Sequence, residues 1–481
     1  MRRCALESHK KMMNLFSRAA VLTLAATLTA AASAQSVNTL DPVLRAQVDR
    51  IAAQVLEKTG VPSASLAVVK GGKLVYTQAY GKARLAEGNT PALAATPSMR
   101  YSIGSISKQF TAAALLMLQE EGKLKLDDPV EKYLPGLTRG SEVTLRQLLS
   151  HTSGYQDYWP EDYAMTPMFK PASSSYIVDK WAKKPLDFEP GTQWQYSNTN
   201  FVIAGLVIEK ASGKPYFDFL TERIFRPLGM KSVWNSDQVK LTSPDAGSYI
   251  RFGLGPLHPA PKEGAGWMAA AGELAMTPHD LALWDESLLS RSLLKAESYK
   301  EMFTEVKLKD GSGSHYGLGV EVTKRSGRNS IEHSGEVSGF VSDNIVLIDD
   351  GVAVAVTTNQ DAVSAASAIA RLTAPIIAAI PPNPYEAQAI ALYRGLQKGE
   401  LDRSLLAPNL NDYFTKQAVE DFKNSLGPLG EPLSLRQTGE ELRGGMTFRG
   451  FEILYPGKKL ELTTYTYPDG KLEQYIVAPA N

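Results

Sequence analysis

The stretch YSIGSISKQF, residues 101–110, decides the fold, because it opens a long apolar helix where a Ser and a Lys stand three positions apart. The helical pattern runs from residue 107 to about residue 122. Residues three apart share a helix face, so we expect the amine of Lys108 beside the hydroxyl of Ser105. The dipole at a helix N-terminus disfavours an ammonium and favours an anion, which predicts Lys108 as a base and Ser105 as a nucleophile.

Two other short motifs carry the groups that such a nucleophile needs. Tyr196-Ser197-Asn198 follows a turn-like stretch. Its Tyr can take the proton of a Ser and pass it to a leaving group, and its Asn can bind a substrate amide or carbonyl. His333-Ser334-Gly335 precedes a β-like run. The edge of such a strand can bind substrate through its backbone, and a Gly there permits close approach.

Each motif also has a plainer interpretation when it is taken alone. The Ser-x-x-Lys spacing recurs at Ser8 and at Ser292, and it is typical of a solvated helix face. A lone His is usually structural. Lys58-Thr59-Gly60 and Ser342-Asp343-Asn344 resemble catalytic tripeptides but stand in the wrong order along the chain, so we predict a turn for the first and part of a strand for the second.

Strand-like segments open and close the main part of the chain, and helical patterns fill its middle. Gly71-Gly72 joins β-like residues 65–69 and 74–80, and Asp350-Gly351 joins β-like residues 345–348 and 352–358. Residues 125–300 are mostly helical patches and polar loops, and a final apolar helix is predicted over about 363–380. The sequence therefore predicts an α+β fold, with an antiparallel sheet flanked by helices, an inserted helical subdomain and a cleft between them.

The first 34 residues have the layout of a secretory signal peptide. A basic front between Arg2 and Arg18 precedes an apolar run at 19–32 and a group of small residues. The apolar run is too short to span a bilayer comfortably. We therefore expect an exported protein, periplasmic or secreted, with no transmembrane anchor in its mature chain. The basic front is unusually long, which leaves Met1, Met12 and Met13 open as the start.

A proline-rich segment separates the C-terminal part of the chain from the main unit. The segment contains three prolines close together, which is typical of a linker: Pro381, Pro382 and Pro384. Residues 385–481 read as one helical stretch followed by a strand meander, with turns at 444–445, 456–457 and 468–470. We therefore predict three parts, namely a signal peptide at 1–34, a hydrolase-like domain at 40–380 and a small helix-and-sheet accessory domain at 385–481.

The composition excludes several classes of function. Lys and Arg number 51, as do Asp and Glu, so nothing indicates a nucleic acid partner. The single cysteine, Cys4, lies in the predicted signal peptide, so the mature protein is expected to lack disulfides and thiolate chemistry. The chain has no Gly-x-Ser-x-Gly, no His-Glu-x-x-His and no His and carboxylate cluster at ligand spacing. We therefore expect neither an α/β-hydrolase nor a zinc enzyme, and we predict no metal or cofactor.

In this order the motifs resemble the serine β-lactamase superfamily, in particular its branch of class C β-lactamases, D-alanyl-D-alanine carboxypeptidases and esterases. The resemblance covers about residues 45–375. It is carried by YSIGSISKQF at 101–110, LRQLLSHTSG at 145–154, YSNTN at 196–200, RPLGM at 226–230, YGLG at 316–319 and HSG at 333–335. It implies a β-lactamase/transpeptidase-like fold and a hydrolase that forms an acyl-enzyme.

The resemblance also implies a role for each candidate residue. Ser105 would be the nucleophile, Lys108 its activating base, and Tyr196 a general base and then a general acid. Asn198 would hold the amide side chain of the substrate. The backbone N–H groups of Ser105 and Glu336 would form the oxyanion hole. His333, followed by Ser334 and Gly335, would bind substrate where class C β-lactamases carry the Lys of a Lys-Thr-Gly.

Two departures from that pattern bear on the substrate. His333 replaces a fixed cation with a group expected to titrate near neutral pH, so a substrate carboxylate would be held less well as His333 loses its proton. Glu336 places an acidic side chain beside the oxyanion position, where it would repel a carboxylate. Both departures favour a peptidase or an esterase over a β-lactamase.

Several functions stay open on the sequence alone. We expect a small-molecule or peptide substrate whose amide or ester is cleaved, such as a D-amino-acid peptide or a β-lactam. The alternatives are a carboxylesterase with little or no β-lactamase activity and a penicillin-binding protein that does not turn over. Tyr155, Trp159 and Trp267 are candidates for the walls of the cleft. The accessory domain would cover the mouth of the cleft, contact a cell-wall polymer, or only stabilise the protein.

Overall fold

The computed structural model describes residues 37–161, 163–239, 241, 245–325, 327–380, 383–455 and 458–480. The predicted signal peptide lies outside these residues. The helices are α1 (Pro42–Thr59), α2 (Ser107–Glu120), α3 (Leu145–Leu149), α4 (Ser174–Ile177), α5 (Asn198–Ser212), α6 (Tyr216–Leu220), α7 (Ala269–Gly272), α8 (Pro278–Ser290), α9 (Ala296–Met302), α10 (Ala365–Ile377), α11 (Pro384–Lys398), α12 (Pro408–Tyr413) and α13 (Lys416–Leu426). Within the described part of the chain, none of the helices has both the length and the apolar character needed to cross a membrane.

A seven-stranded antiparallel sheet forms the centre of the main unit, in the order β3-β2-β1-β12-β11-β10-β9. Its strands are β1 (Ser63–Lys70), β2 (Lys73–Arg84), β3 (Leu93–Ala94), β9 (Glu321–Arg325), β10 (Arg328–Val337), β11 (Phe340–Leu347) and β12 (Val352–Thr358). Three short strands, β4 (Tyr101–Ser102), β5 (Trp234–Asn235) and β8 (Leu274–Met276), form a second sheet, and β6 (Tyr249–Arg251) pairs with β7 (Leu257–Pro259). The sheet confirms both predicted hairpins, β1–β2 and β11–β12, and the pairing of β1 with β12 joins the two ends of the unit.

Alternation along the central strands divides the core into two layers. Leu66 and Val68 of β1 pack with α1 and α10 on one face of the sheet. Ala67 and Val69 face the other way and pack with α2, α8 and the helices between β4 and β9. Because side chains alternate between the two faces of a strand, the apolar runs of β1 and β12 are buried on both sides. The predicted arrangement of sheet, flanking helices and inserted helical region is therefore confirmed.

The helix that follows Ser105 lies at the centre of the molecule. Every residue from Ser107 to Leu118 is buried, whereas the sequence pattern had indicated only one buried face. Polar groups inside this helix find partners, since Gln109 donates to Asn344 at 2.9 Å and accepts from Trp284 at 2.7 Å. Such pairing offsets the cost of burying an amide. The helix is thereby held in register with β11 and α8.

Two glycines allow the turn that carries Ser105 to lie directly against β10. A Cβ atom on Gly335 would sit 2.0 Å from the carbonyl oxygen of Ile103, and a Cβ on Gly104 would sit 2.7 Å from the backbone nitrogen of Glu336. Gly104 also has a positive φ of 50°. Ser342 of β11 donates to the same Ile103 oxygen at 2.8 Å. Gly335 therefore permits contact between two backbone segments, rather than the approach of a substrate that the sequence suggested.

The C-terminal part builds a second antiparallel sheet with a core of its own. β13 (Ser434–Arg443), β14 (Met446–Tyr455), β15 (Lys458–Thr466) and β16 (Leu472–Pro479) pair in chain order, and α11, α12 and α13 cover one face. The turns at 444–445 and 468–470 are confirmed, and 456–457 lies outside the described residues, as do Pro381 and Pro382. The prediction of one helical stretch is wrong, because Gly399 ends α11 in a left-handed conformation and Thr415 caps a new helix. Pro384 begins α11 rather than belonging to a linker.

We expect Gly335→Ala to lower the free energy of unfolding by about 1–3 kcal/mol, because the added methyl overpacks the contact with Ile103. Gly439→Ala is the matched control, since Gly439 also lies in a strand and nothing comes within 4 Å of the position of its Cβ. Chemical denaturation of both variants measures the difference. Equal stability of the two variants would contradict the close approach of the Ser105 turn to β10.

Candidate active site

One cleft of about 570 Å³ collects most of the residues singled out in the sequence. Ser105 lies in the turn before α2, Tyr196 lies two residues before α5, and Asn198 is the first residue of α5. His333, Ser334 and Glu336 belong to the C-terminal half of β10, and with the preceding three they line the cleft. Lys108 lies fully buried beneath Ser105, and Gly335 faces Ile103.

The Lys108 amine makes three contacts that fix its orientation. Its Nζ lies 2.8 Å from Ser105 Oγ, 2.8 Å from Asn198 Oδ1 and 2.8 Å from the carbonyl oxygen of Ala271. The last two atoms can only accept a hydrogen bond. A neutral amine therefore directs its two N–H groups at these oxygens and its lone pair at the Ser105 hydroxyl. This is the geometry that a general base requires.

Burial sets the protonation state of this amine. Desolvation lowers the pKa of Lys108 to about 7, and the charge of Asp157 opposes that shift. A neutral form becomes available near pH 7 because the interior disfavours the ammonium.

Asp157, which the sequence analysis did not single out, orients the amide of Asn198. Its carboxylate accepts from the Asn198 backbone N–H at 3.0 Å and from Asn198 Nδ2 at 3.2 Å. Nδ2 must face the carboxylate because it can only donate. The amide orientation of Asn198 is thereby fixed, with Oδ1 facing Lys108. No local pattern marks Asp157 in the sequence, since its role depends on the packing of the 150–160 loop against α5.

Tyr196 stays protonated in this environment. Burial raises the pKa of Tyr196, the charges of Asp157 and Glu321 raise it further, and a hydrogen bond with Ser105 opposes them. Its ring lies under Lys108, with Nζ 4.9 Å from the ring centroid. The free protein therefore favours Lys108 over Tyr196 as the group that first takes a proton from Ser105.

His151 positions Tyr196 by accepting hydrogen bonds from the residues directly before and after it in the chain. Its backbone carbonyl accepts from the Gln195 N–H at 3.0 Å, and its Nδ1 accepts from the Ser197 N–H at 3.1 Å. The imidazole stacks on the Tyr196 ring, with the centroids 4.2 Å apart. Burial keeps the pKa of His151 well below its usual value, so the ring is neutral. The sequence marked His151 only as part of a family signature, without this positioning role.

The carbonyl that holds Lys108 is itself positioned by a buried carboxylate. Ala271 belongs to α7, whose first residue, Ala269, has a strained φ of 41°. Asp237 Oδ2 accepts from the Ala269 N–H at 2.9 Å, and the backbone N–H of Ser236 donates to the Glu273 carbonyl at 2.8 Å. Strain at a residue such as Ala269 persists only where neighbouring contacts impose it. Ser236 and Asp237 thus fix α7 against the amine.

The expectation that His333 titrates near neutral pH is wrong. Its Nδ1 lies 2.5 Å from the carbonyl oxygen of Ser334, which can only accept, so Nδ1 carries the proton and Nε2 accepts from the Tyr316 hydroxyl at 2.7 Å. Burial lowers the pKa of His333 to about 3, with the charge of Lys108 acting in the same direction. His333 is therefore neutral at physiological pH and supplies no cation for a substrate carboxylate.

The charged side chains that line the cleft, among the described residues, are acidic. In the described part of the chain its lining contains no Lys or Arg but five acidic residues, namely Asp157, Glu161, Glu321, Glu336 and Asp361. The Glu336 side chain accepts from the Ala362 N–H at 2.7 Å, which holds it at the cleft. The lining is therefore unfavourable for a carboxylate and favourable for a neutral or cationic group.

Of the three aromatic residues suggested for the walls, only Trp159 lines the cleft. Tyr155 and Trp267 are buried in the core, 1% and 3% exposed. Their polar atoms donate to the backbone carbonyls of Thr138 and Lys170. Both predictions were wrong because an aromatic residue with a polar tip is stable in a core where a carbonyl accepts its hydrogen bond.

The described residues contain no group of three or more His, Cys, Asp or Glu side chains placed to hold a metal ion.

Comparison with known families agrees with this fold and this cleft. A profile of the Beta-lactamase family matches residues 48–375, more than half of the chain. The chain belongs to the Beta-lactamase family. The match begins within α1 and ends within α10, so it spans the central sheet, the inserted helical region and all the residues of the cleft.

The relatives of this Beta-lactamase family protein include penicillin-binding proteins, D-aminopeptidases and an amidohydrolase. Penicillin-binding protein 4* of Bacillus subtilis (strain 168) is 31% identical over 299 residues, which cover 58% of this chain and 64% of that protein. A D-aminopeptidase of Brucella anthropi is 31% identical over 288 residues, which cover 58% of this chain and 52% of that protein. This chain thus spans less than two thirds of the length of either curated relative. The crystal structure of a D-stereospecific amidohydrolase from Streptomyces sp. is similar at a TM-score of 0.56 and 33% identity, over 65% of this chain and 94% of that one.

We expect the acylation of Ser105 by a neutral nitrophenyl ester to speed up with rising pH, with a midpoint near pH 7. The reason is that only the neutral Lys108 amine can take the Ser105 proton, and its pKa lies at about 7. Lys108→Arg should lower the rate by about 10²–10⁴-fold, because a guanidinium stays protonated. Stopped-flow release of nitrophenol between pH 5 and 9 measures both effects. A rate that does not change with pH, or that falls as pH rises, would contradict this assignment.

Proposed function

We propose that this protein is a serine hydrolase that forms an acyl-enzyme on Ser105. The observation that carries the proposal is the Lys108 amine, which is fully buried with its Nζ 2.8 Å from Ser105 Oγ. A buried Lys is costly unless the protein gains from its neutral form. The neutral amine beside a serine that lines a cleft provides that gain as an activated nucleophile.

In the proposed acylation, the Ser105 proton moves to Lys108 while a bond forms between Ser105 Oγ and the substrate carbonyl carbon. The backbone N–H groups of Ser105 and Glu336 stabilise the oxyanion. Tyr196 donates its proton to the leaving nitrogen or oxygen as the bond from that atom to carbon breaks. The Lys108 ammonium then returns a proton to Tyr196, so the proton of Ser105 ends on the leaving group.

Deacylation reverses the same proton path. Water attacks the carbonyl carbon of the acyl-enzyme, and its proton is taken up by Lys108. The bond between that carbon and Ser105 Oγ breaks, and the serine oxygen takes the proton back from Lys108. The net reaction consumes one water and releases an acid and an amine or alcohol, with no other reactant required.

We favour an amide or ester of a D-amino acid as the substrate class, and the charges of the cleft support one with no carboxylate on the reacting part. A free carboxylate would meet the acidic lining and the neutral His333, whereas a protonated amine would be attracted. The D-aminopeptidase and the D-stereospecific amidohydrolase among the relatives agree with this class. On the same grounds, β-lactams and peptides that end in D-alanyl-D-alanine would be poor substrates.

The remaining sequence predictions fit this proposal. Residues 1–34 would direct export, and the mature protein would act in the periplasm or outside the cell. Residues 40–380 would form the hydrolase domain. Residues 385–481 would form an accessory domain, and the proposal allows it to stabilise the hydrolase domain or to contact a cell-wall polymer.

The test compares substrates that differ in chirality or in charge. We expect D-alanine para-nitroanilide to be hydrolysed faster than its L-enantiomer, a D-alanyl-D-alanine peptide or a fluorescent penicillin. Ser105→Ala should abolish turnover of each one. Ser292→Ala is the matched control and should keep full activity, because Ser292 belongs to the other Ser-x-x-Lys of the described chain and is exposed.

The other outcomes separate the alternatives. Turnover of simple nitrophenyl esters alone would identify a carboxylesterase. Stable labelling of Ser105 by the penicillin without turnover would identify a penicillin-binding protein of the non-turnover kind. Folded protein that neither hydrolyses nor is labelled by any of these compounds would contradict the proposed function.

A further inference from the structure

A second cavity of about 590 Å³ adjoins the cleft. Met268, Val337 and Ser338 line both spaces, so the two share one wall. Met268 is an unbranched side chain that adapts its shape to its neighbours. A substrate group that displaces or passes the Met268 side chain would enter the second cavity.

The second cavity, hereafter the side pocket, exposes more apolar than polar surface. Six of its lining residues are Leu85, Pro91, Leu93, Leu241, Pro259 and Phe340. Three of the four charged residues that line the side pocket, all except Glu87, form side-chain hydrogen bonds with the protein itself. Arg84 Nε donates to the Asp245 carbonyl at 3.0 Å, Lys262 donates to the Ser236 carbonyl, and Glu263 accepts from the Ser338 N–H at 3.1 Å. An occupant gains most in the side pocket by burying an apolar group.

The order of residues along β10 indicates which part of a substrate points at the side pocket. The proposed leaving group receives its proton from Tyr196, whose ring lies 6.3 Å from that of His333. His333 precedes Glu336 by three residues, about 10 Å along a strand. Val337 and Ser338 come after Glu336, on the opposite side of the oxyanion position. The leaving group therefore extends toward His333 and the acyl group toward the side pocket.

We propose that the side pocket binds an apolar extension of the acyl group, so that the enzyme prefers acyl groups that carry an extended aliphatic or aromatic portion. The inference rests on the proposed function and adds the specificity of its acyl side. Burying one methylene of the acyl group raises kcat/KM by about fourfold at most, since partial burial gives less. An acyl chain that reaches the side pocket should thus be favoured by at least about tenfold over acetate.

The experiment measures kcat/KM for para-nitrophenyl esters of acetate, butyrate, hexanoate, octanoate and decanoate, all with the same leaving group. We expect kcat/KM to increase along the series in the wild-type protein. Leu93→Trp should remove the increase while it leaves acetate hydrolysis unchanged, because the larger ring fills the side pocket and Leu93 does not line the cleft. Leu254→Trp is the matched control, since Leu254 is 99% exposed and does not line the side pocket.

A second variant keeps the experiment informative if Leu93→Trp does not fold. Leu93→Asn keeps nearly the same size but makes the side pocket polar, and it should flatten the chain-length increase with unchanged acetate hydrolysis. Circular dichroism confirms that each variant is folded. An increase that persists in both Leu93 variants, or a flat series in a wild-type protein that hydrolyses acetate through Ser105, would overturn the inference alone. Failure of every ester to react with Ser105 would instead overturn the proposed function, and the inference with it.

Discussion

The geometry of the site depends on the close approach of two backbone segments, the turn that carries Ser105 and the end of β10. Only residues without a Cβ fit there, at Gly104 and Gly335. The contact places the Ser105 and Glu336 N–H groups on neighbouring segments, where both can face one oxygen. It also fixes the first turn of α2, whose burial in the core of the molecule holds Lys108 in place. The contact thus connects packing of the central sheet to the proposed chemistry.

Burial lowers the pKa of the Lys108 amine, and a set of hydrogen bonds orients the amine. Asp157 orients Asn198, and Asp237 fixes the helix turn that presents the Ala271 carbonyl. Asp237 acts on Lys108 through another residue, whereas Asp157 acts both through Asn198 and through its own charge, which raises the pKa of Lys108. The same burial keeps His333 neutral, so the cleft lacks the cation that a carboxylate-bearing substrate requires. One physical effect, desolvation, therefore supports both the proposed base and the proposed choice of substrate.

The sequence predicted the features that depend on local spacing and chain order. Ser105 and Lys108 share a helix face, and the hairpins at Gly71-Gly72 and Asp350-Gly351 follow from turn chemistry, so the fold could be assigned before the structure. Asp157 and Asp237 could not be found, because each acts through a tertiary contact with no local signal. The charge of His333 was predicted wrongly for a related reason, since the depth of burial of a side chain is a property of the folded protein.

The central claim is that Lys108 is neutral near physiological pH because it is buried. The most direct test is an NMR titration of the lysine side chains in the wild-type protein, with the Lys108 signal assigned from its absence in Lys108→Arg. The account predicts a pKa of about 7 for Lys108. A Lys108 pKa close to the ordinary lysine value of about 10.4 would contradict it, because the amine would then remain protonated and could not take the proton of Ser105.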